Sequence, residues 1–162
     1  MKYQVFDYPN ASELNSFIYE IAQNDIKTCK PASLSEAVNS PHIDAIRVDG
    51  GGILTSLNIH KKGIGEIDKF FEWIEKLLDI KTQMSWIATY NSGQSGGKHC
   101  HMEFEKTFSY YVNVPEGSPS LILEGDIINP VVGRVVAFSG QLEHEVPLSS
   151  VDGRCSLVGH GS

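Results

Sequence analysis

Three histidines in the last third of the chain have the types and spacing of a metal site. His99 and His101 are separated by one residue, Glu103 follows two residues later, and a lone His144 comes after a turn-rich interval. Imidazole nitrogens and carboxylate oxygens are common ligands of divalent transition metals. Two imidazoles and one carboxylate on one face of an ion leave its other positions open, as in mononuclear Fe(II) sites that activate oxygen. These residues therefore indicate a metal site with open positions.

Strand geometry limits which of these residues can share one ion. On a strand, residues 99, 101, 103 and 105 lie on the same face. A rise of about 3.3 Å per residue separates His99 from Glu103 by roughly 13 Å, whereas ligand bonds are about 2 Å long. The ion must therefore take an adjacent pair, either His99 with His101 or His101 with Glu103. His144 completes either set.

Arg154 and Ser156 predict an anion site next to the metal. Arg154 follows His144 in the sequence, and Ser156 lies two residues further on, hence on the same face of a strand. A guanidinium is permanently charged and binds a carboxylate through two parallel hydrogen bonds, and a serine hydroxyl can donate another. The alternative for Arg154 is a surface ion pair with a nearby acidic side chain.

The composition fits one globular domain that neither crosses a membrane nor binds nucleic acid through a basic face. The chain has 162 residues, of which 41% are hydrophobic and 20% charged. No apolar run approaches the roughly 20 residues of a membrane-spanning helix. The formal net charge of −7 opposes binding to a phosphate backbone. Three widely spaced cysteines and the lack of a leader-like segment at Met1 predict free thiols and a cytoplasmic location.

Hydrophobic periodicity predicts that the first half of the chain contains two helices. A helix over Ala11–Gln23, started by Asn10 and Glu13 as a capping box, and a helix over Glu66–Leu78 each carry one apolar stripe. The other elements expected there are strands within 1–9, 43–48 and 53–59, a turn at 49–52, and a turn of helix around 34–38 within a loop over 27–41.

From Met84 onward the helical period gives way to short strands. Turn residues separate apolar runs about every ten residues, which is typical of a sandwich or barrel. The expected strands are 84–90, 108–114, 121–123, 131–138, 144–148 and 155–158. The sequence therefore predicts a mainly β protein with a single domain over 1–162, in which an N-terminal helical layer (1–80) packs against a C-terminal jelly roll (84–158).

A set of motifs surrounds the candidate ligands. It consists of Tyr90-Asn91-Ser92-Gly93, His99, Tyr110-Tyr111-Val112-Asn113, Pro130-x-x-Gly133, Phe138, His144 and Arg154-x-Ser156. Together these motifs resemble the Fe(II)/2-oxoglutarate-dependent oxygenase superfamily, above all its prolyl-4-hydroxylase-like branch and small bacterial and phage members with a His-x-His pattern. The resemblance covers about residues 90–158. It implies a cupin-like double-stranded β-helix and an enzyme that couples oxidative decarboxylation of 2-oxoglutarate to hydroxylation of a substrate with O₂.

The resemblance also implies roles for individual residues. His99 and His144 take the two metal-histidine positions of the superfamily, and Arg154 and Ser156 grip the distal carboxylate of 2-oxoglutarate. Tyr90 matches a tyrosine that assists at that end of the cosubstrate.

The sequence departs from the superfamily at the carboxylate ligand. The usual His-x-Asp is here His99-Cys100-His101. Either an imidazole replaces the carboxylate, or the register slips by two and Glu103 serves with His101 and His144. We favour His99, His101 and His144 as the catalytic metal ligands.

Two alternative functions remain open at this stage. The spacing His99-x-His101-x-x-x-Glu105 also fits a cupin-type metal-dependent dioxygenase or isomerase that does not use 2-oxoglutarate. A metal-free binding domain on the same fold is the second alternative. The substrate is not specified by the sequence, and peptidyl proline or a small metabolite are the classes considered.

Overall fold

Strands form most of the part of the chain that this computed structural model describes, which comprises residues 2–28, 32–33 and 45–162. Two α-helices accompany them in these ranges, α1 (Ala11–Thr28) and α2 (Gly65–Leu78), with a 3₁₀ turn at Ile59–Lys61. The strands are β1 (Tyr3–Asp7), β2 (Ala32–Ser33), β3 (Ala45–Arg47), β4 (Ile53–Thr55), β5 (Thr82–Tyr90), β6 (Gly96–His99), β7 (Lys106–Asn113), β8 (Leu121–Leu123), β9 (Asp126–Ile128), β10 (Arg134–Ser139), β11 (His144–Val146) and β12 (Arg154–Gly161).

The strands form two sheets, and the central strands of the larger sheet have neighbours that are far apart in sequence. The larger sheet has the order β1-β10-β7-β12-β5-β4-β3-β2, and the smaller has the order β6-β11-β8-β9. All named pairs are antiparallel except β2 with β3. This arrangement of two facing sheets confirms the predicted jelly-roll class.

Side-chain alternation along the central strands separates two cores. On β7, Phe108 and Tyr110 point towards the helices and belong to a cluster with residues of α1 and α2. Tyr111 points the other way and packs with residues of the smaller sheet, including Leu123. Because successive strand residues face opposite sides, the larger sheet has a helix-covered face and a face that meets the smaller sheet.

The helix α2 packs through the predicted apolar stripe. Ile67, Phe70 and Ile74 are fully buried on that stripe. Leu77, which the periodicity also assigned to it, is exposed, because it lies at the margin of the stripe near the end of the helix. The helix ends at Asp79, which adopts a left-handed conformation.

Most predicted elements are present, with shifted ends. The first helix continues to Thr28 instead of Gln23, and β10 begins at Arg134 because the preceding residues form a turn at Gly133. The strands β2, β6 and β9 were not predicted, and β2 lies within the segment 27–41 that was expected to be a loop. The predicted turn of helix around 34–38 lies outside the described residues. Among those residues, no helix is long and apolar enough to cross a membrane.

One glycine of the central strand has no space for a side chain. Gly159 of β12 lies opposite Phe108 of β7, and a Cβ atom there would overlap the phenyl ring. Since Phe108 is fully buried and cannot swing away, we expect Gly159→Ala to lower the free energy of unfolding by about 2 kcal/mol or more.

Denaturant unfolding of the Gly159→Ala variant provides the measurement. Gly65→Ala is the matched control, because Gly65 opens α2 and no atom lies close to the position that a Cβ would take there, so the change should be neutral or slightly stabilising. Equal stability of the two variants would contradict the close packing of β7 against β12.

Candidate functional site

A cavity of about 470 Å³ is lined by side chains of both sheets. Its walls combine apolar and polar residues, and its polar lining contains every site residue predicted from the sequence. These are Tyr90, His99, His101, His144, Arg154 and Ser156. The sheet pairing explains the convergence, because each strand that carries one of these residues faces the space between the sheets.

His99, His101 and His144 converge in this cavity. Each offers one ring nitrogen, and the three atoms lie within 4.8 Å of one another. His99 and His144 are opposite each other in the register of β6 and β11, which brings their ring centroids to 4.4 Å. His101 lies 4.9 Å from His99 and 5.3 Å from His144 between ring centroids. The three rings form a group that can hold one ion.

His101 reaches this group from a turn, which corrects the prediction of a common strand face. The strand β6 ends at His99, and the chain then turns, with the amide of Phe104 donating to the carbonyl of His101 at 3.0 Å. The amide of His101 donates to the carbonyl of Gly140 at 2.7 Å. A side chain at Gly140 would collide with the carbonyls of His101 and Phe104. Segment 99–105 therefore does not alternate as one strand.

The acidic candidates do not join the histidine group. Glu103 is exposed and contributes to the cavity rim, while Glu105 is exposed beyond the turn. Neither carboxylate belongs to a ligand group among the described residues. The geometry thus brings together three imidazoles, the set that we favoured from the sequence.

Backbone carbonyls orient two of the three imidazoles. The Nδ1 atom of His99 lies 2.6 Å from the carbonyl oxygen of Gly97, and that of His144 lies 3.1 Å from the carbonyl oxygen of Leu142. A carbonyl oxygen only accepts hydrogen bonds, so each Nδ1 carries a proton, and in the neutral imidazole the lone pair then lies on Nε2. This tautomer is the one needed for metal ligation through Nε2.

Burial keeps His101 and His144 uncharged. Burial and, to a smaller extent, the neighbouring imidazoles lower the pKa of His144 to about 4 and that of His101 to about 3. A neutral imidazole is the form that binds a metal. At neutral pH a metal therefore does not compete with protons for these two side chains.

Arg154 is a buried cation without an acidic partner in the described part of the chain. Its side chain is 2% exposed, and its Nε donates to the carbonyl of Pro119 at 3.0 Å. The rings of Tyr90 and Tyr111 lie 5.4 and 5.5 Å from the guanidinium carbon. The predicted alternative of a surface ion pair is wrong. Burial without an anion lowers the pKa of Arg154, so the site favours an anionic ligand.

Two buried hydroxyl groups next to Arg154 also have no hydrogen-bond partner among the residues that the structure describes. These are Ser156 Oγ and Tyr111 Oη, and the two residues pair across β12 and β7. Unpartnered buried hydroxyls are uncommon because each costs about 1–3 kcal/mol. Together with the guanidinium they form a set of donors that a bound carboxylate would satisfy.

The position of Tyr90 depends on the pairing of β5 with β12 and on two neighbouring glycines that leave room for its ring. It lies directly opposite Arg154 in the pairing of β5 with β12. A Cβ atom at Gly96 would approach the Tyr90 hydroxyl to 2.7 Å, and one at Gly52 would overlap the ring. The glycines at 50–52, predicted as a turn, therefore form a turn and also leave room for this tyrosine.

Two residues beside the site were given no individual role from the sequence, although Tyr111 belongs to one of the motifs named there. Tyr111 is one, although its period-two spacing from Ser109 and Thr107, which both line the cavity, would have identified it. His160 is the other, because the predicted strand ended at residue 158 whereas β12 continues to Gly161. Its fully buried ring lies 3.9 Å from that of His101 between centroids, and burial lowers its pKa to about 2.

Comparison with known proteins identifies the fold. No family model matches the sequence, and no curated protein is similar to it. Solved structures do match. A Pseudomonas putida prolyl-4-hydroxylase has a TM-score of 0.70 at 18% identity over 99% of this chain and 91% of its own.

Two further prolyl hydroxylases are also similar in structure. One is from Trichoplax adhaerens, in complex with a hypoxia inducible factor oxygen degradation domain peptide fragment, with a TM-score of 0.69 at 13% identity over 99% of this chain and 83% of its own. The other is the viral collagen prolyl hydroxylase of Paramecium Bursaria Chlorella virus-1, in a 2OG complex, with a TM-score of 0.69 at 13% identity over 99% and 95%. The chain thus has the double-stranded β-helix fold of the 2-oxoglutarate- and Fe(II)-dependent oxygenases, as the sequence resemblance predicted.

Proposed function

We propose that the protein is a non-haem Fe(II) dioxygenase that couples oxidative decarboxylation of 2-oxoglutarate to hydroxylation of a substrate. The observation that supports this most directly is the cavity itself. One end presents three imidazoles, and the same cavity contains a buried guanidinium that pairs with no anion among the described residues. A dicarboxylate that binds a metal through one end and a cation through the other fits both requirements.

The residues present suit Fe(II). His99, His101 and His144 would hold the ion, with the Nδ1 atoms of His99 and His144 fixed by backbone carbonyls. Three imidazoles on one side of an ion leave positions for a chelating cosubstrate and for oxygen. When bound, the iron supplies the oxygen chemistry that the side chains cannot perform.

The residues present also suit 2-oxoglutarate. Arg154 would bind its distal carboxylate with two parallel hydrogen bonds, and Ser156 would donate a third. Tyr111 Oη and Tyr90 face the same guanidinium and complete the polar wall. The apolar side chains of Leu121 and Phe138 line the cavity and exclude water from the reaction.

The substrate would enter on the side of His99, the exposed member of the histidine group. The rim there contains Asp49, Lys98 and Glu103. Peptidyl proline is the first substrate class to test, because the three structural neighbours named above are prolyl hydroxylases. A small metabolite is the second class. We further propose that residues 1–162 act as one domain.

Anaerobic titration of the purified protein with Fe(II) and 2-oxoglutarate tests the proposal. We expect the weak visible charge-transfer band of the 2-oxoglutarate chelate to appear at one equivalent of iron, and succinate to form when oxygen is admitted. Succinate in place of 2-oxoglutarate is the matched control, because it lacks the keto group and cannot form the chelate.

The same titration separates the alternatives. Bound iron without the band would overturn the use of 2-oxoglutarate and favour a cupin-type enzyme. Failure to bind any divalent metal would favour a metal-free binding domain on this fold.

A further inference from the structure

His101 differs from the other two histidines of the group in how its ring is oriented. His99 and His144 each have a backbone carbonyl at Nδ1. The ring of His101 has no hydrogen-bond partner within the residues that the structure describes. Its backbone lies in a turn instead of a strand, so the sheet pairing does not fix its side chain either.

The closest ring to His101 belongs to His160. The two centroids are 3.9 Å apart with an interplanar angle of 39°, so the rings touch through their faces. His160 is 0% exposed and is itself held on three sides. Its Nδ1 lies 2.9 Å from Thr107 Oγ1, Phe104 stacks on it at 5.5 Å, and Trp86 lies 4.7 Å away.

We propose that His160 is a positioning residue that holds the ring of His101 in the orientation required for metal binding. This inference rests on the metal site of the proposed function. The carbonyls of Gly97 and Leu142 orient the other two ligands by accepting hydrogen bonds from their Nδ1 atoms. The ring of His160 orients His101 by packing against it. Groups that orient a metal ligand are worth about 10–100-fold in metal affinity.

The surroundings of the two ring nitrogens of His160 indicate that His160 acts by packing against His101 and does not itself bind the metal. Nδ1 is engaged by Thr107, and Nε2 is buried with no partner in the described ranges of the chain. His160 does not belong to the group of ligand atoms within 4.8 Å of one another. A phenyl ring would fill the same space and make the same face contact with His101, without leaving a polar atom unpartnered.

The test is Co(II) binding and the visible spectrum of bound Co(II), which reports the geometry of its ligands. We expect His160→Ala to weaken Co(II) binding at least about tenfold and to alter the spectrum. His160→Phe should restore both to near the wild-type result. Thr107→Val, which releases His160 from its anchor while keeping the ring, should weaken binding by a smaller factor.

His60→Ala is the matched control. His60 also bonds a hydroxyl through Nδ1, at 2.5 Å from Ser85 Oγ, and also has an unpartnered buried Nε2, but it packs against Phe71 away from the cavity. Its removal should leave Co(II) binding unchanged.

The Co(II) experiments decide whether His160 positions the ring of His101. Wild-type Co(II) affinity and spectrum in His160→Ala would overturn this inference, as would an equal loss in His160→Ala and His160→Phe. If His160→Ala does not fold, wild-type binding by Thr107→Val overturns it. Failure of the unaltered protein to bind Co(II) would instead refute the metal site of the proposed function.

Discussion

Replacing Arg154 with methionine is expected to weaken 2-oxoglutarate binding by about 30-fold or more while the protein remains folded. Removing one partner of a buried charge pair costs about 2–5 kcal/mol, and each 1.4 kcal/mol is tenfold in affinity. The free energy of unfolding should fall by less than about 1 kcal/mol, because the unliganded protein buries this cation without an anion and methionine relieves that cost. Calorimetric titration under anaerobic conditions, with metal present, measures the affinity.

Arg134→Met is the matched control for this experiment. Arg134 is also an arginine of the larger sheet, but its side chain is only partly buried and pairs with the exposed Asp7 at 2.9 Å. Its replacement should leave 2-oxoglutarate affinity unchanged and cost little stability, as exposed ion pairs contribute about 0–1 kcal/mol. If both arginine variants bind 2-oxoglutarate as the unaltered protein does, the anion site assigned to Arg154 is wrong.

Loss of a metal ligand is expected to have the second largest effect. His144→Ala and His101→Ala should each weaken Fe(II) binding by at least about 100-fold, since even residues that only orient a ligand are worth about 10–100-fold. Glu103→Gln, by contrast, should bind Fe(II) like the unaltered protein, because this exposed carboxylate lies outside the histidine group. Anaerobic equilibrium dialysis of the three variants gives the affinities.

The comparison of Glu103→Gln with His101→Ala decides between the two ligand sets. Strong Fe(II) binding by Glu103→Gln together with weak Fe(II) binding by His101→Ala supports a ligand set of three imidazoles. If Glu103→Gln instead lowers the Fe(II) affinity as much as a histidine variant does, the Glu103 carboxylate must move to the metal when it binds.

The site residues could be predicted from the sequence because they are concentrated in short segments. His144 and Arg154 begin consecutive strands of the chain, and Arg154 and Ser156 share a strand face by simple alternation. Such local relations depend only on the period of a strand, which a sequence displays directly. The residues predicted for the cosubstrate and the metal all line one cavity for this reason.

Features that depend on contacts between distant segments could not be predicted. The turn that carries His101 into the group is held by the carbonyl of Gly140, and Tyr90 faces Arg154 because β5 and β12 pair in one register. Neither pairing is identifiable from the residues themselves, and only the resemblance to a known superfamily placed Tyr90 and Arg154 at the same end of the cosubstrate. The strand β6 was missed because its residues 96–99 are two glycines and two polar side chains, which lack an apolar alternation.

The turn at His101 also bears on how such a site could change during evolution. Position 101 lies outside the strand ladders, and its backbone is held by hydrogen bonds that any residue except proline can make. Exchange of a short acidic side chain for an imidazole at this point therefore requires no change in strand pairing. A change of one codon, at position 101, can therefore replace one metal ligand by another while the strands that carry Arg154 and His144 stay as they are.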